Sequence, residues 1–190
     1  MARFTLDFAH MLAGGMVLVS FMMLYQNRMF GLIKVFALQA VVLAASVGWQ
    51  AWVQAAPHLW VTALIALSLK AIVIPLALHR MVIRLGIHRT IETVGGIGPT
   101  MLVGIALVAL SMVVMLRATQ SAGADPLARE DLALALSVIL LGLLMMVTRH
   151  NAVSQIVGFM SLENGLILAA AGAKGMPLVV EISIAFSVLV

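Results

Sequence analysis

Apolar runs long enough to cross a bilayer, separated by short polar breaks, account for almost the whole chain. A helix crossing the hydrocarbon core needs about 20 mainly apolar residues. Reading between the charged and Pro/Gly breaks gives seven candidates, at 6–25, 30–53, 58–79, 97–117, 130–148, 152–173 and 177–190. Composition agrees: 64% of the 190 residues are hydrophobic and 9% charged, against about 45–50% and about 25% in a soluble domain. The expected fold is therefore all-α, a polytopic transmembrane bundle of about seven helices forming one domain. The last candidate ends in the apolar "AFSVLV", so its helix is expected to continue in a longer chain. The first follows a start carrying Asp7 and has no small-residue cleavage site, and it is read as a retained helix, not a signal peptide.

The charge pattern narrows the function classes. The chain has no cysteine, which excludes disulfides, iron–sulfur ligation and a cysteine nucleophile. A net charge of +4 would suit nucleic acid only if the basic residues shared a soluble face. They sit singly in short loops instead, as topology signals do. One set of loops holds Arg28, Arg80, Arg84, Arg89 and Arg149, and the other holds Arg3, Arg117, Arg129 and Lys174. The densest cluster, in "HRMVIRLGIHRTIET", assigns its side to the cytoplasm and the N-terminus to the outside. Within it Met81, Leu85 and Ile91 recur at helical spacing, so a helix lying at, or extending into, the cytoplasmic interface is expected. "RATQSAGADPLARED" is the polar outer loop, with a turn at Asp125-Pro126.

A faint internal repeat is also present. Laying "QNRMFGLIKVFALQAVVLAA" on "RHNAVSQIVGFMSLENGLILAA" from Asn27 and Asn151 puts Gln39 on Glu163 and Lys34 on Gly158. Two three-helix units, 6–79 and 130–190, would then flank the helix at 97–117.

The candidate site comes from charges at membrane depth. Glu163 falls mid-span in "VGFMSLENGLILAAAG" and Lys70 mid-span in "ALIALSLKAIVIPLAL". A charge at the bilayer centre costs about 2.5–3.5 kcal/mol on insertion scales, so one that is present defaults to a functional hypothesis. Gly165, Ala169 and Ala173 repeat every four residues, a small-residue face for close helix packing. That face lies about 200° around the helix from Glu163, so the carboxylate is expected in a different seam. Pro75 follows Lys70 by five residues and removes a backbone donor beside it. A lysine in apolar surroundings exchanges its proton readily. The competing reading of both charges is a static ion pair or a set of helix-tying hydrogen bonds.

Glu181, shortly after Met176-Pro177, is read as a further relay acid or a helix-start acid favoured by the dipole. Lys34 is read as a relay residue or as a lysine snorkelling to the interface. Gln39 and Asn164 are membrane-depth amides giving polar support between helices. The histidines, His10, His58, His79, His88 and His150, fall near span ends or in loops. His10 and His58 share one side, but nothing shows the matched, facing depth that a haem requires. The fourteen methionines are soft packing. No nucleophile elbow or zincin spacing is present, and no metal, cofactor or catalytic site is expected.

At "TRHNAVSQIVGFMSLENGLILAA" the sequence resembles the hydrogenase-4 component E family, membrane subunits of formate-hydrogenlyase-type complexes. The resemblance is carried by His150-Asn151, Gln155-Ile156-x-Gly158 and Glu163-Asn164-Gly165, by Lys70-x4-Pro75 in "LSLKAIVIPLAL", and by "VVEISIAF" around Glu181. That family is similar to the K subunit of respiratory complex I and the C subunit of multisubunit cation/proton antiporters. In the K pattern a glutamate comes two residues after the glycine. Here that position is Met160 and the acid is one turn on, at Glu163. The resemblance implies a proton-translocating subunit in a bacterial plasma membrane. Its partners would be antiporter-like membrane subunits and the other subunits of a membrane redox complex. Protons would pass along Glu163, Lys70 and intervening water.

Overall fold

The computed structural model describes residues 2–86, 95–120 and 126–172. Its elements in chain order are α1 (Ala2–Tyr25), α2 (Met29–Val53), α3 (Pro57–Ile65), a π-helical segment (Ala66–Val73), α4 (Ile74–Leu85), α5 (Ile97–Gln120), α6 (Pro126–Thr148) and α7 (Ala152–Gly172). α3, the π segment and α4 run on without a break, so six helices among the described residues are long and apolar enough to cross a membrane. The expected seventh, at 177–190, lies outside the described residues, as do Arg89, Ile91, Ala173, Lys174 and Glu181.

The observed ends differ from the sequence reading in one informative place. The third span does not stop at residue 79. It continues as α4 through Arg80 and Arg84 to Leu85, where Gly86 takes up a left-handed conformation (φ 58°) and ends the helix. Arginine is a good helix former and its stem lies along the apolar surface. The helix therefore continues past the apolar run through both arginines, as the helical spacing of Met81 and Leu85 predicts.

Of the six described spans α7 is the most enclosed, with 61% of its apolar window buried, and α5 the least, at 17%. α7 lies between α6 and α2, α1 packs on both α2 and α6, and α5 covers the outside of α6 and α1. The α6–α7 hairpin is the tightest contact. A Cβ at Gly142 would come within 2.6 Å of the Leu162 backbone nitrogen, and one at Gly165 within 2.9 Å of the Ile139 nitrogen. Gly158 faces the Gly142 carbonyl at a similarly short range. Glycine lets the two backbones meet, as small residues do between membrane helices. Gly165 thus packs as its spacing predicts, and Ala169 lies half-buried against the same core.

The connecting turns are locked by side chains. The Asn151 side-chain oxygen accepts from the Val153 N–H and caps α7, and the Gln155 amide donates to the Arg149 carbonyl. Arg149, buried at the α6–α7 turn, donates from Nη2 to the Leu24 carbonyl at 2.6 Å. Its positive charge meets the negative end of the α1 dipole. Burial pulls the pKa of this guanidinium below its ordinary value. At the other end of the bundle the Gln54 amide donates to the Ala171 carbonyl and ties α2 to α7.

α1 and α2 stand beside α6 and α7, the helices with which the sequence reading would pair them. The third helix of the second unit falls outside the described residues.

Candidate functional site: a buried lysine–glutamate pair

Pro75 sets the local geometry. Its nitrogen carries no hydrogen, so neither the Ala71 carbonyl in α register nor the Lys70 carbonyl in π register can receive a bond from it. The backbone answers by widening: Ala66–Val73 is π-helical, and the Ile74 N–H reaches the Leu69 carbonyl five residues back. π segments are rare and concentrate at functional sites. This one carries Lys70, buried at 1% exposure, with Pro75 buried one turn beyond.

Lys70 Nζ lies 3.0 Å from Glu163 Oε2. The same ammonium donates to Asn164 Oδ1 at 3.0 Å. Glu163 is the twelfth residue of the 21 in α7, so the pair is at mid-span. The π segment turns its lysine toward α7 while Gly165, on another face, packs against α6. That is the separation of seams the helical spacing predicts.

The polar contacts continue inward from the pair. Asn164 Nδ2 donates to Gln39 Oε1 at 3.2 Å. Gln39 Nε2 donates to Ser20 Oγ and to Ser161 Oγ, both at 2.8 Å, and the Ser20 hydroxyl donates to the Met16 carbonyl. All these groups are buried. The π segment, α7, α2 and α1 thus contribute to one network at mid-span. Gln39 and Glu163 stand on neighbouring helices, α2 and α7, and Asn164 links them.

Sequence reasoning therefore found Lys70, Glu163, Asn164 and Gln39, and the structure brings all four together. It missed Ser20 and Ser161. A lone serine in an apolar helix usually bonds its own backbone, and only Ser161, mid-helix and two residues before Glu163, offered a signal in its level; Ser20 falls five residues before the end of α1. Lys34 is not brought to the network. It is exposed on α2 near the turn end, where a snorkelling stem fits. Of the histidines, His10 pairs with Asp131 while His58, His79 and His150 are exposed.

The amide link is open to a direct test. Gln39→Leu keeps the side-chain size but leaves Asn164 Nδ2 without its acceptor and the Ser20 and Ser161 hydroxyls without the donor they share. An orphaned buried polar group costs about 1–3 kcal/mol, so unfolding in detergent, followed by circular dichroism, should show a loss of that size.

Bilayer-length apolar helices enclosing a buried charged pair define this chain as an all-α, multi-pass membrane protein. Comparison with protein-family models, with characterised proteins and with solved structures gave no match.

Proposed function

We propose that this protein is an integral membrane subunit of a hydrogenase-4/formate-hydrogenlyase-like or related complex, and that its intramembrane charges take part in proton translocation. The observation that carries the reading is the Lys70–Glu163 contact at 3.0 Å, at mid-span and enclosed by four helical elements. A carboxylate and an ammonium in contact exchange a proton without moving heavy atoms, and the neutral pair costs less to hold in hydrocarbon than two separate ions. The resemblance of "QIVGFMSLENG" and "LSLKAIVIP" to the hydrogenase-4 component E family supports the same role. Of the motif's polar residues, Asn151 and Gln155 shape the turn, while Glu163 and Asn164 reach the charged pair.

On this reading the partners are antiporter-like membrane subunits and other subunits of a redox complex in a bacterial plasma membrane, with the N-terminus outside. The arginine-rich end of α4 supports that orientation. The second reading is a non-conducting subunit that positions its neighbours, and the direct contacts that tie Lys70 to both Glu163 and Asn164 favour it.

One experiment separates them. In membrane vesicles carrying the assembled complex, Glu163→Gln should abolish proton translocation while the complex still assembles, because glutamine accepts the Lys70 hydrogen bond but takes up no proton. Normal translocation in the Glu163→Gln complex would rule out the relay and leave the scaffold.

A further inference from the structure

A second set of ionisable side chains lies where α1 and α6 begin. His10 Nδ1 is 2.8 Å from Asp131 Oδ1, and His10 Nε2 is 3.9 Å from Glu130 Oε2. Exposure falls steadily inward through the acids and bases of the molecule. The Glu130 side chain is 65% exposed, His10 and Asp131 18% each, Glu163 7% and Lys70 2%. The depth between the two sets can be counted on two helices. A Cβ at Gly172 would lie 3.8 Å from the Asp131 Cβ. Asp131 is therefore level with Gly172, nine residues or about 13 Å along α7 from Glu163. On α1, His10 stands ten residues, about 15 Å, from Ser20, the α1 member of the buried network.

The remaining ionisable side chains described at this end, Asp7, His58 and Arg117, are exposed. At the opposite end the buried charge is the guanidinium of Arg149, a group that keeps its proton. Lys34, His79 and His150 there are exposed. Among the described residues, only the His10 end grades from water to half-buried to buried through groups that exchange protons.

We propose that His10, Asp131 and Glu130 form the proton-exchange site between the buried pair and the aqueous phase on the α1-start side. The inference rests on the proton role proposed for Lys70 and Glu163. Glu130 collects a proton from the aqueous phase and passes it through a bridging water to His10 Nε2, 3.9 Å away. The imidazolium releases its Nδ1 proton to Asp131 Oδ1, 2.8 Å away, so that an N–H bond breaks as an O–H bond forms and no bond between heavy atoms changes. Asp131 then stands about 13 Å along the axis of α7 from Glu163, about four hops at hydrogen-bond spacing.

The test uses the full-length protein, oriented in lipid vesicles with separately buffered interior and exterior. Dicyclohexylcarbodiimide, which adds to protonated carboxyls in apolar surroundings, is the probe, and mass spectrometry reads its addition to Glu163. Labelling should rise about tenfold per unit as pH falls on the His10 side, following the protonated fraction, and ignore pH on the Arg80 side. His10→Gln and Asp131→Asn should remove that dependence. Glu130→Gln, at an exposed position with little bearing on folding, should weaken it. Labelling that follows the Arg80 side, or that keeps its wild-type response in all three variants, overturns the exchange site and leaves the role of Glu163 standing. Glu163 that never labels, at any pH on either side, overturns the role of Glu163 and the exchange site with it.

Discussion

Lys70→Met should destabilise the protein by about 3–5 kcal/mol, the cost of leaving one member of a buried ion pair without its partner. The sign follows from the surroundings. With the ammonium gone, Glu163 keeps its carboxylate among apolar helices, and Asn164 Oδ1 loses the donor that lies 3.0 Å away. Glu163→Leu alone should cost a similar amount, because it strands the ammonium. The double variant, Lys70→Met with Glu163→Leu, should recover most of the loss, since exchanging a buried pair for apolar residues of similar volume is often neutral or stabilising. Thermal unfolding of the four proteins in detergent gives the coupling energy directly. If the double variant is as stable as the wild type but translocates no protons in its complex, the pair is kept for its chemistry. If the two single changes simply add, the ion pair is not coupled as its geometry requires.

The second large effect is expected at the α6–α7 contact. Gly142→Ala places a methyl group 2.6 Å from the Leu162 nitrogen and 2.9 Å from the Gly158 carbonyl oxygen. Those are backbone atoms, which cannot rotate aside, so the helices must separate. Overpacking of this kind costs about 1–3 kcal/mol, and Gly165→Ala should behave alike because its methyl group meets the Ile139 backbone. Gly14→Ala is the control. Nothing stands within 4 Å of its Cβ position, and alanine is about 1 kcal/mol the better helix former, so this change should be neutral or stabilising. Chemical denaturation of the three variants checks the contrast. Because Glu163 lies on α7 between the contacts made by Leu162 and Gly165, separating the hairpin should also lengthen its contact with Lys70.

Much of this was legible before any coordinates. Apolar runs broken by arginine, proline and glycine give the spans, because hydrocarbon thickness fixes how long a run must be. The mid-span positions of Lys70 and Glu163 pointed inward for the same reason: lipid tails offer neither of them a partner. Pro75 announced a disturbed backbone, although a missing donor alone does not say whether a helix kinks or widens, and here it widens to the π form over Ala66–Val73. Pairings between helices were less visible. Gly165 showed itself through the Ala169 spacing, but Gly142 and Gly158 belong to different helices and become partners only once the hairpin closes. Ser20 and Ser161 were hidden for that reason too, since a hydroxyl inside an apolar run looks the same whether it faces lipid or an amide. His10 and Asp131, separated by most of the chain, meet only because α1 and α6 begin at the same end.

The amides of Asn164 and Gln39 carry a consequence of their own. An ammonium can only donate, so Asn164 must present its oxygen to Lys70 and its NH2 group to Gln39, and Gln39 must then turn its own NH2 group toward the two serines. Every dipole in the row is therefore aligned by a single cation. A neutral amine offers a lone pair, and with it both amides are free to turn over. The protonation of one side chain is in this way written as a direction across three helices.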